Sequence, residues 1–499
     1  MRLWAGLVTL AMCAGAAGAA RAEQLWAEAG DRQLRQDVET LKAGKYIRGP
    51  IESWPLPWSQ IMDGVEKAEN ANAPGFVAAA AGRLRAQSGI ASQSTVYEAD
   101  IAGTNRPALV RDFGFTARNQ ADVALRVSNS LGNLHLNYGV GYRSNQVGQD
   151  YHFEPSDFAL QFSNWAIYGG YTQKWWGPGN DGALTISTDA RPFPKVGITR
   201  LNPFKPRTKF LRWVGPWRVD FFGGVLTETR PDSRNPIEFG QRFTVEPSPG
   251  LEISLSRTLL ICGDRGTAPA PPAIANQVGG GKCGAGPVGR ALFPFFGGIQ
   301  PGDSLAGLSV SYTRMVGSGA VRIYYEAAGE DKKGVLQFDQ DGQVGGASVT
   351  FPAFTEGGTL QLYSEYTDTL ARRLIPFKSF PRSYYGNSFY YTGKDYRGLP
   401  LGDSIGGDSD LFTASAAYTT PRNWRVYTSY RQAHYNKTGV ASASRSINPE
   451  FIHIGTIGTQ VPTQFGDVRL EGRVMDNDVN TPGRKPMRGE FEVSLKTRF

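Results

Sequence analysis

Past its first dozen residues this sequence has no apolar run near the ~18 residues that a membrane-crossing helix needs, and its mean hydropathy is −0.33. Helical membrane spans are excluded. Cysteine numbers only 3 and histidine only 4 in 499 residues, too few and too scattered for a His/Cys metal centre, so neither a metal nor a cofactor is expected. Gly-x-Ser-x-Gly, His-Glu-x-x-His and phosphate-cradling loops are all missing, which removes the common hydrolase, metalloprotease and nucleotide-binding classes. What is abundant is glycine, at 61 residues, and aromatic side chains, at 12%, on a chain only 40% hydrophobic. Disorder is excluded, because so many aromatic rings need a fold to cover them. The balance is that of a polar-on-average β-structure, and a membrane β-barrel is one architecture that has it.

Export explains the rest of the composition. Arg2, the apolar stretch Leu3–Met12 and the small residues up to Ala20-Arg21-Ala22 predict a secretory signal peptide over residues 1–22. A lipoprotein start at Cys13 fits less well, with Met12 where a small residue is wanted. Cys262 and Cys283 then remain, separated by a Gly/Pro/Ala-rich segment, and in an oxidising compartment they are expected to form a disulfide. The net charge of +8 is dispersed, and export removes nucleic acid as a partner; lipopolysaccharide or acidic glycans are the more suitable counter-charges.

Two regions follow. Residues 23–92 read as a small periplasmic helical bundle: Asp31 caps a segment with Leu34, Val38 and Leu41 on one face, Gly44 ends it, Pro57 sits in the first turn of a second helix and Pro74 starts a third. Trp54 and Trp58 are candidate core anchors. From about residue 93 the period changes to two, as in Leu134/Leu136/Tyr138/Val140 against His135/Asn137/Gly139, and polar faces carry opposed charges such as Arg322/Glu326 and Arg469/Glu471/Arg473. A secreted β-sandwich would not need charges on nearly every strand. Residues 93–499 are therefore predicted to form an outer-membrane β-barrel of about 18 strands at ~10 residues each, with both termini in the periplasm. The last strand, Phe491/Val493/Leu495/Thr497/Phe499, resembles the terminal strand of bacterial outer-membrane proteins, whose final aromatic is read by the barrel-insertion machinery.

The most distinctive stretch runs from Asn164-Trp165 through Lys174-Trp175-Trp176-Gly177-Pro178-Gly179-Asn180 to Asp189-Ala190-Arg191-Pro192-Phe193-Pro194, with Ile51-Glu52-Ser53-Trp54-Pro55-Leu56-Pro57 upstream. These segments resemble the Wzi-type capsule assembly proteins. The resemblance implies an outer-membrane barrel with a periplasmic bundle that retains capsular polysaccharide at the cell surface. Asp189 departs from it, standing where an asparagine is expected, and the segment from Cys262 to Gly298 reads as an insertion that bears on glycan identity. In a strand Trp175 and Trp176 must point to opposite faces, so both cannot meet lipid; a girdle position together with a barrel-plug contact, or stacking on a sugar, is open to them. Arg191 is open to an acidic sugar or, preferably, a lumen salt bridge.

A second candidate surface is the loop from Arg372 to Asp410. Arg382, Tyr384, Tyr385, Asn387, Tyr390 and Tyr391 make up the mixture of rings and amides that adaptable binding loops use, and a ligand-free, lumen-occluding loop is the alternative. His152, in Gln149-Asp150-Tyr151-His152, has the loop setting closest to a catalytic one, and His135 reads as lumen lining. The function expected is therefore a monomeric, non-enzymatic, lectin-like tether for capsular polysaccharide, with a porin or sugar channel as the main alternative and a barrel enzyme as the lesser one.

Overall fold

Three helices open the chain, each where local chemistry starts it. The side chain of Asp31 accepts the Leu34 N–H at 2.9 Å and begins α1 (Arg32–Ala43), which ends at Gly44. α2 (Trp58–Asn70) begins one residue after Pro57, which is thus its cap rather than part of its first turn, and α3 (Gly75–Ala91) begins after Pro74. Leu34, Val38 and Leu41 are buried with Trp54, Trp58, Ile61, Val65 and Leu84 in one apolar cluster. In the computed structural model the described residues are 24–144, 149–204, 208–265, 302–330, 341–373, 378–379, 384–386, 390, 392–439, 444–480 and 487–499. The expected signal segment 1–22, Cys283, Arg382, Asn387 and Tyr391 lie outside them.

Eighteen strands close an antiparallel barrel among the described residues. They are β1 (Thr95–Thr104), β2 (Ala121–Leu131), β3 (Leu134–Ser144), β4 (Asp157–Phe162), β5 (Trp165–Gly170) and β6 (Lys195–Arg200). β7 (Trp217–Val225), β8 (Ile237–Ser248), β9 (Leu251–Ile261), β10 (Gly302–Val316), β11 (Gly319–Glu330) and β12 (Asp341–Pro352) follow. β13 (Thr359–Arg373), β14 (Asp410–Thr419), β15 (Arg425–Tyr435), β16 (Glu450–Thr463), β17 (Gly466–Met475) and β18 (Arg488–Arg498) complete it. Two short pairings, Gln149–His152 on β3 and Lys378–Ser379 on β13, extend the wall locally. β18 closes on β1 with Leu495 opposite Ile101, and Tyr97 and Phe499 exchange backbone hydrogen bonds with their rings stacked at 6.1 Å. The even count puts both ends of the barrel chain at one mouth, where the turns are short except for the β6–β7 connection, with long connections at the other. Closure leaves no open sheet edge, which an apolar bilayer demands.

Alternation sorts the faces as the sequence pattern requires. Tyr97, Ile101, Tyr138, Val140, Leu470, Val474 and Phe491 are exposed on the outer wall, while Glu98, Arg469, Glu471, Arg473, Glu490 and Glu492 are buried inside. Arg473 lies 2.6 Å from Glu471, 3.0 Å from Glu490 and 3.2 Å from Glu492, and Arg126 lies 2.6 Å from Glu98. Charges enclosed in a narrow lumen are tolerable only when paired in this way.

The bundle does not stand beside the barrel; α1 enters its mouth. Its polar face is as buried as its apolar one, because it meets the charged lumen wall. Lys42 Nζ lies 2.7 Å from Glu246 and 3.4 Å from Glu252, Glu39 lies 3.3 Å from Arg322, and Gln33 accepts from Arg425 at 2.6 Å. Read from sequence, Gln33, Gln36, Glu39 and Lys42 look like a solvated face; their partners lie about 200 to 400 positions away, where no local pattern reveals them.

Candidate functional site: a plugged lumen beneath a loop rim

Between β5 and β6 the chain turns inward instead of out to solvent. Trp175 pairs with Trp54 and Trp176 with Ser53 in a two-residue antiparallel contact between this loop and the linker of the bundle. The two indoles do alternate faces, as strand geometry demands. Trp175 packs edge-on to Phe113 at 5.3 Å, with the Arg35 guanidinium over it, and Trp176 tilts against Phe222 of the wall at 5.4 Å. Both are almost wholly buried, at 1% and 0% exposure. Neither faces lipid and neither is open to a sugar; the plug contact expected for the pair is found, and the girdle position expected for one of them is corrected, because its partner strand is the bundle linker rather than the barrel wall.

The Gly-Pro-Gly turn is gripped from all sides. The Pro178 carbonyl accepts from Arg35 of α1 and from Arg322 of β11, each at 2.6 Å. The N–H groups of Asn180, Asp181 and Gly182 donate to the Glu365 carboxylate of β13 at 2.6, 2.9 and 3.1 Å. Asp181 accepts from Arg431 at 2.7 Å, Thr413 at 2.6 Å and Tyr363 at 2.8 Å. Burial pushes its carboxyl up, but Arg431 and the two hydroxyls outweigh burial and hold it below the usual carboxylate range. Arg431 also reaches Asp112 at 3.2 Å, and Asp112 accepts from Arg32 of α1 at 2.9 Å, so loop, wall and helix meet in one network. Glycine is needed here for approach rather than for backbone freedom. A Cβ on Gly182 would stand 1.8 Å from the Asp403 carboxylate, and one on Gly177 would stand 2.6 Å from that of Glu326. What remains unfilled includes a cavity of about 240 Å³ along the β1–β3 wall, with Arg126, Arg143 and Glu154 among its lining.

A family model described as capsule assembly protein Wzi matches residues 92–499. The chain belongs to the Wzi family. An uncharacterized 55.8 kDa protein in the cps region of Klebsiella pneumoniae is 26% identical over 437 residues, covering 86% of this chain and 80% of the relative. Escherichia coli Wzi, described as an outer-membrane protein involved in group 1 capsule assembly and as a carbohydrate-binding β-barrel, superposes with a TM-score of 0.75 at 21% identity. The match covers 94% of this chain and 99% of that one. This Wzi-family barrel is thus an outer-membrane protein of capsule assembly, as the motifs at 51–57 and 164–194 lead one to expect.

The other residues singled out in the sequence find different places. Arg191 forms ion pairs with Glu154 at 2.7 Å and with Asp150, so its preferred reading as a salt-bridge residue holds. These pairs belong to a chain of alternating charges, Arg397–Asp150–Arg191–Glu154–Arg143–Asp122, that descends from the rim into the wall. Tyr384, Tyr385 and Tyr390 are buried at 1–2% exposure. Tyr384 and Tyr385 donate to the Leu184 carbonyl at 3.2 and 2.7 Å, and Tyr390 donates to the Cys262 carbonyl at 2.8 Å. A ring covered on its faces cannot meet a sugar, so in this arrangement these three brace the loops above the plug, which corrects their reading as an exposed lectin face. Cys262 is disulfide-bonded. His152 is 9% exposed, its ring nitrogens have no hydrogen-bond partner among the described residues, and Glu154 lies 3.9 Å from it. His135 bonds Ser130 at 3.0 Å and lines a small recess with Asn137 and Asp157.

Sequence reasoning missed Asp181, Glu365, Arg431 and Asp112, the groups that hold the plug. Asp181 was one residue beyond the quoted motif. The others are single charges on strands and loops whose partners only the closed barrel defines. Asp189, marked in the sequence as a departure from the family pattern, is buried. Its carboxyl is 1% exposed, and burial pushes it up against the attraction of Arg445, Arg111 and Arg118. The Arg111 guanidinium lies 3.6 Å from it.

Proposed function

We propose that this protein holds capsular polysaccharide at the cell surface by non-covalent contact at the long-loop rim, as a monomer, with the short-turn mouth and the bundle in the periplasm. The observation that carries this reading is the filled lumen. Among the described residues α1 and the Trp175–Gly182 loop, fixed to Glu365 and Arg431, occupy the interior, so contact with a long glycan falls to the rim. The description of the Escherichia coli relative as a carbohydrate-binding barrel supports the same reading. Bond-making chemistry has no role in it, and lipopolysaccharide and the insertion machinery, through Phe499, are its membrane-side partners.

The rim hairpin Asp395–Tyr396/Leu399–Pro400 carries Arg397 near its tip. Arg397 is 39% exposed at its side chain, lies 5.5 Å over the Tyr396 ring, and holds Asp150 only at 3.7 Å. A half-free guanidinium above an aromatic ring suits hydroxyls and carboxylates of a glycan. Arg382, Asn387 and Tyr391 join it on sequence grounds. Replacing Arg397, Arg382, Asn387 and Tyr391 together by alanine is expected to shift polysaccharide from cells to medium while the barrel still shows heat-modifiable migration on gels. Unchanged cell-bound polysaccharide in that variant refutes the rim assignment. Steady openings of the purified parent in planar bilayers would instead favour the channel reading.

A further inference from the structure

We infer that the barrel binds an anionic phospholipid headgroup at its short-turn mouth, in the recess between the bundle and the β6–β7 connection. The recess, about 720 Å³, is the largest of the cavities described, and its walls are Lys45, Arg48, Ser59 and Asp63 from the bundle against Asn202–Phe204 and Gly215–Pro216. Bundle and connection are locked together around it: Ser59 donates to the Asn202 side chain at 2.8 Å, and a Cβ on Gly49 would strike Pro203.

Its lining sets Lys42, Lys45 and Arg48 against Asp63 and Glu246. Lys45, Arg48 and the neighbouring Arg212 are exposed, and none has a carboxylate partner among the described residues. The acids nearby are spent, Asp63 on Lys67 and Glu246 on Lys42. Aromatic rings sit beside these cations. Trp213 is 70% exposed and Phe204 58% exposed, and the Arg200 guanidinium is stacked 3.7 Å from the Trp217 ring, which in turn contacts Phe243 on the outer wall. Exposed indole and phenyl rings continuous with a lipid-facing wall mark a membrane boundary, and free cations at that level select phosphate-bearing anionic lipid. An acidic polymer would match the charge but would leave Trp213 and Phe204 without an apolar partner, so the leaflet is the better source.

The inference is independent of the glycan role and is tested on the full-length, detergent-purified barrel. Native mass spectrometry would count bound lipid after titration with phosphatidylglycerol or with phosphatidylcholine of the same chains. The parent is expected to retain phosphatidylglycerol at least about tenfold better. Lys45→Gln, Arg48→Gln and Arg212→Gln are each expected to weaken retention by about fivefold, with Trp213→Ala weakening both lipids. Arg85→Gln, an exposed cation elsewhere on the bundle, serves as the charge control and is expected to match the parent. These positions lie outside the barrel ladder, and heat-modifiable migration verifies that each variant is folded. Equal retention of the two lipids by the parent, equal retention by the three Gln variants and the Arg85→Gln control, or displacement of phosphatidylglycerol by an acidic polysaccharide at the same residues would each overturn the inference.

Discussion

The carboxylate of Asp181, just past the Gly-Pro-Gly turn, sits 2.7 Å from Nε of Arg431 on the barrel wall, 250 positions later in the chain. This pair joins a loop that enters the lumen to a strand that encloses it, and through Asp112 and Arg32 it also reaches the first helix. The closed state of the barrel therefore has a definable electrostatic centre.

Removing one partner leaves the other charge buried and alone. Asp181→Asn or Arg431→Gln is expected to destabilise the plugged state by about 3–5 kcal/mol, because an unpaired buried ion keeps its desolvation penalty without the compensating attraction. The double variant is expected to recover part of that loss. Thermal unfolding followed by tryptophan fluorescence checks the ordering, and equal melting of parent and single variants contradicts it.

The same carboxylate sets an acid limit. Arg431, Thr413 and Tyr363 together outweigh the upward push of burial, so the folded value lies below the unfolded one near 3.8. The contribution of a depressed carboxyl is complete above the unfolded value and is lost as pH falls through the folded one. The plug is thus expected to hold at neutral pH and to loosen below about pH 4. Planar-bilayer recordings should be silent near neutrality and show openings in acid. Identical silence at about pH 3 would show that Asp181 does not govern closure.

Asp189 has the opposite sign. Burial raises its carboxyl, so its contribution is complete below the unfolded value of 3.8 and is lost as pH rises through the folded value. Asp189→Asn supplies the neutral shape permanently. At neutral pH the variant is expected to be at least as stable as the parent, with any difference narrowing in acid. Paired melts at two pH values measure it, and a variant less stable at neutral pH than in acid, relative to the parent, runs against the argument.

The sequence by itself determined the wall. A strict alternation such as Leu134/Leu136/Tyr138/Val140 has a single consistent placement once one side is lipid and the other is wet, and the capping Asp31, the breaks at Gly44 and Pro74 and the terminal Phe499 are local signals read over a few residues. The motif at 164–194 likewise pointed to the right family without any structure. Tertiary structure alone decided what fills the cylinder. Lys42, Arg35 and Asp181 are polar, and in one dimension a polar residue that meets a charged lumen is indistinguishable from one that meets water. The same holds for Tyr384 and Tyr390, whose ring-rich loop reads as a binding surface until the Leu184 and Cys262 carbonyls are found above their hydroxyls. Side-chain period encodes which face a residue takes, but the occupant of an enclosed polar space is chosen by partners hundreds of positions away, and only closure of the barrel brings them together.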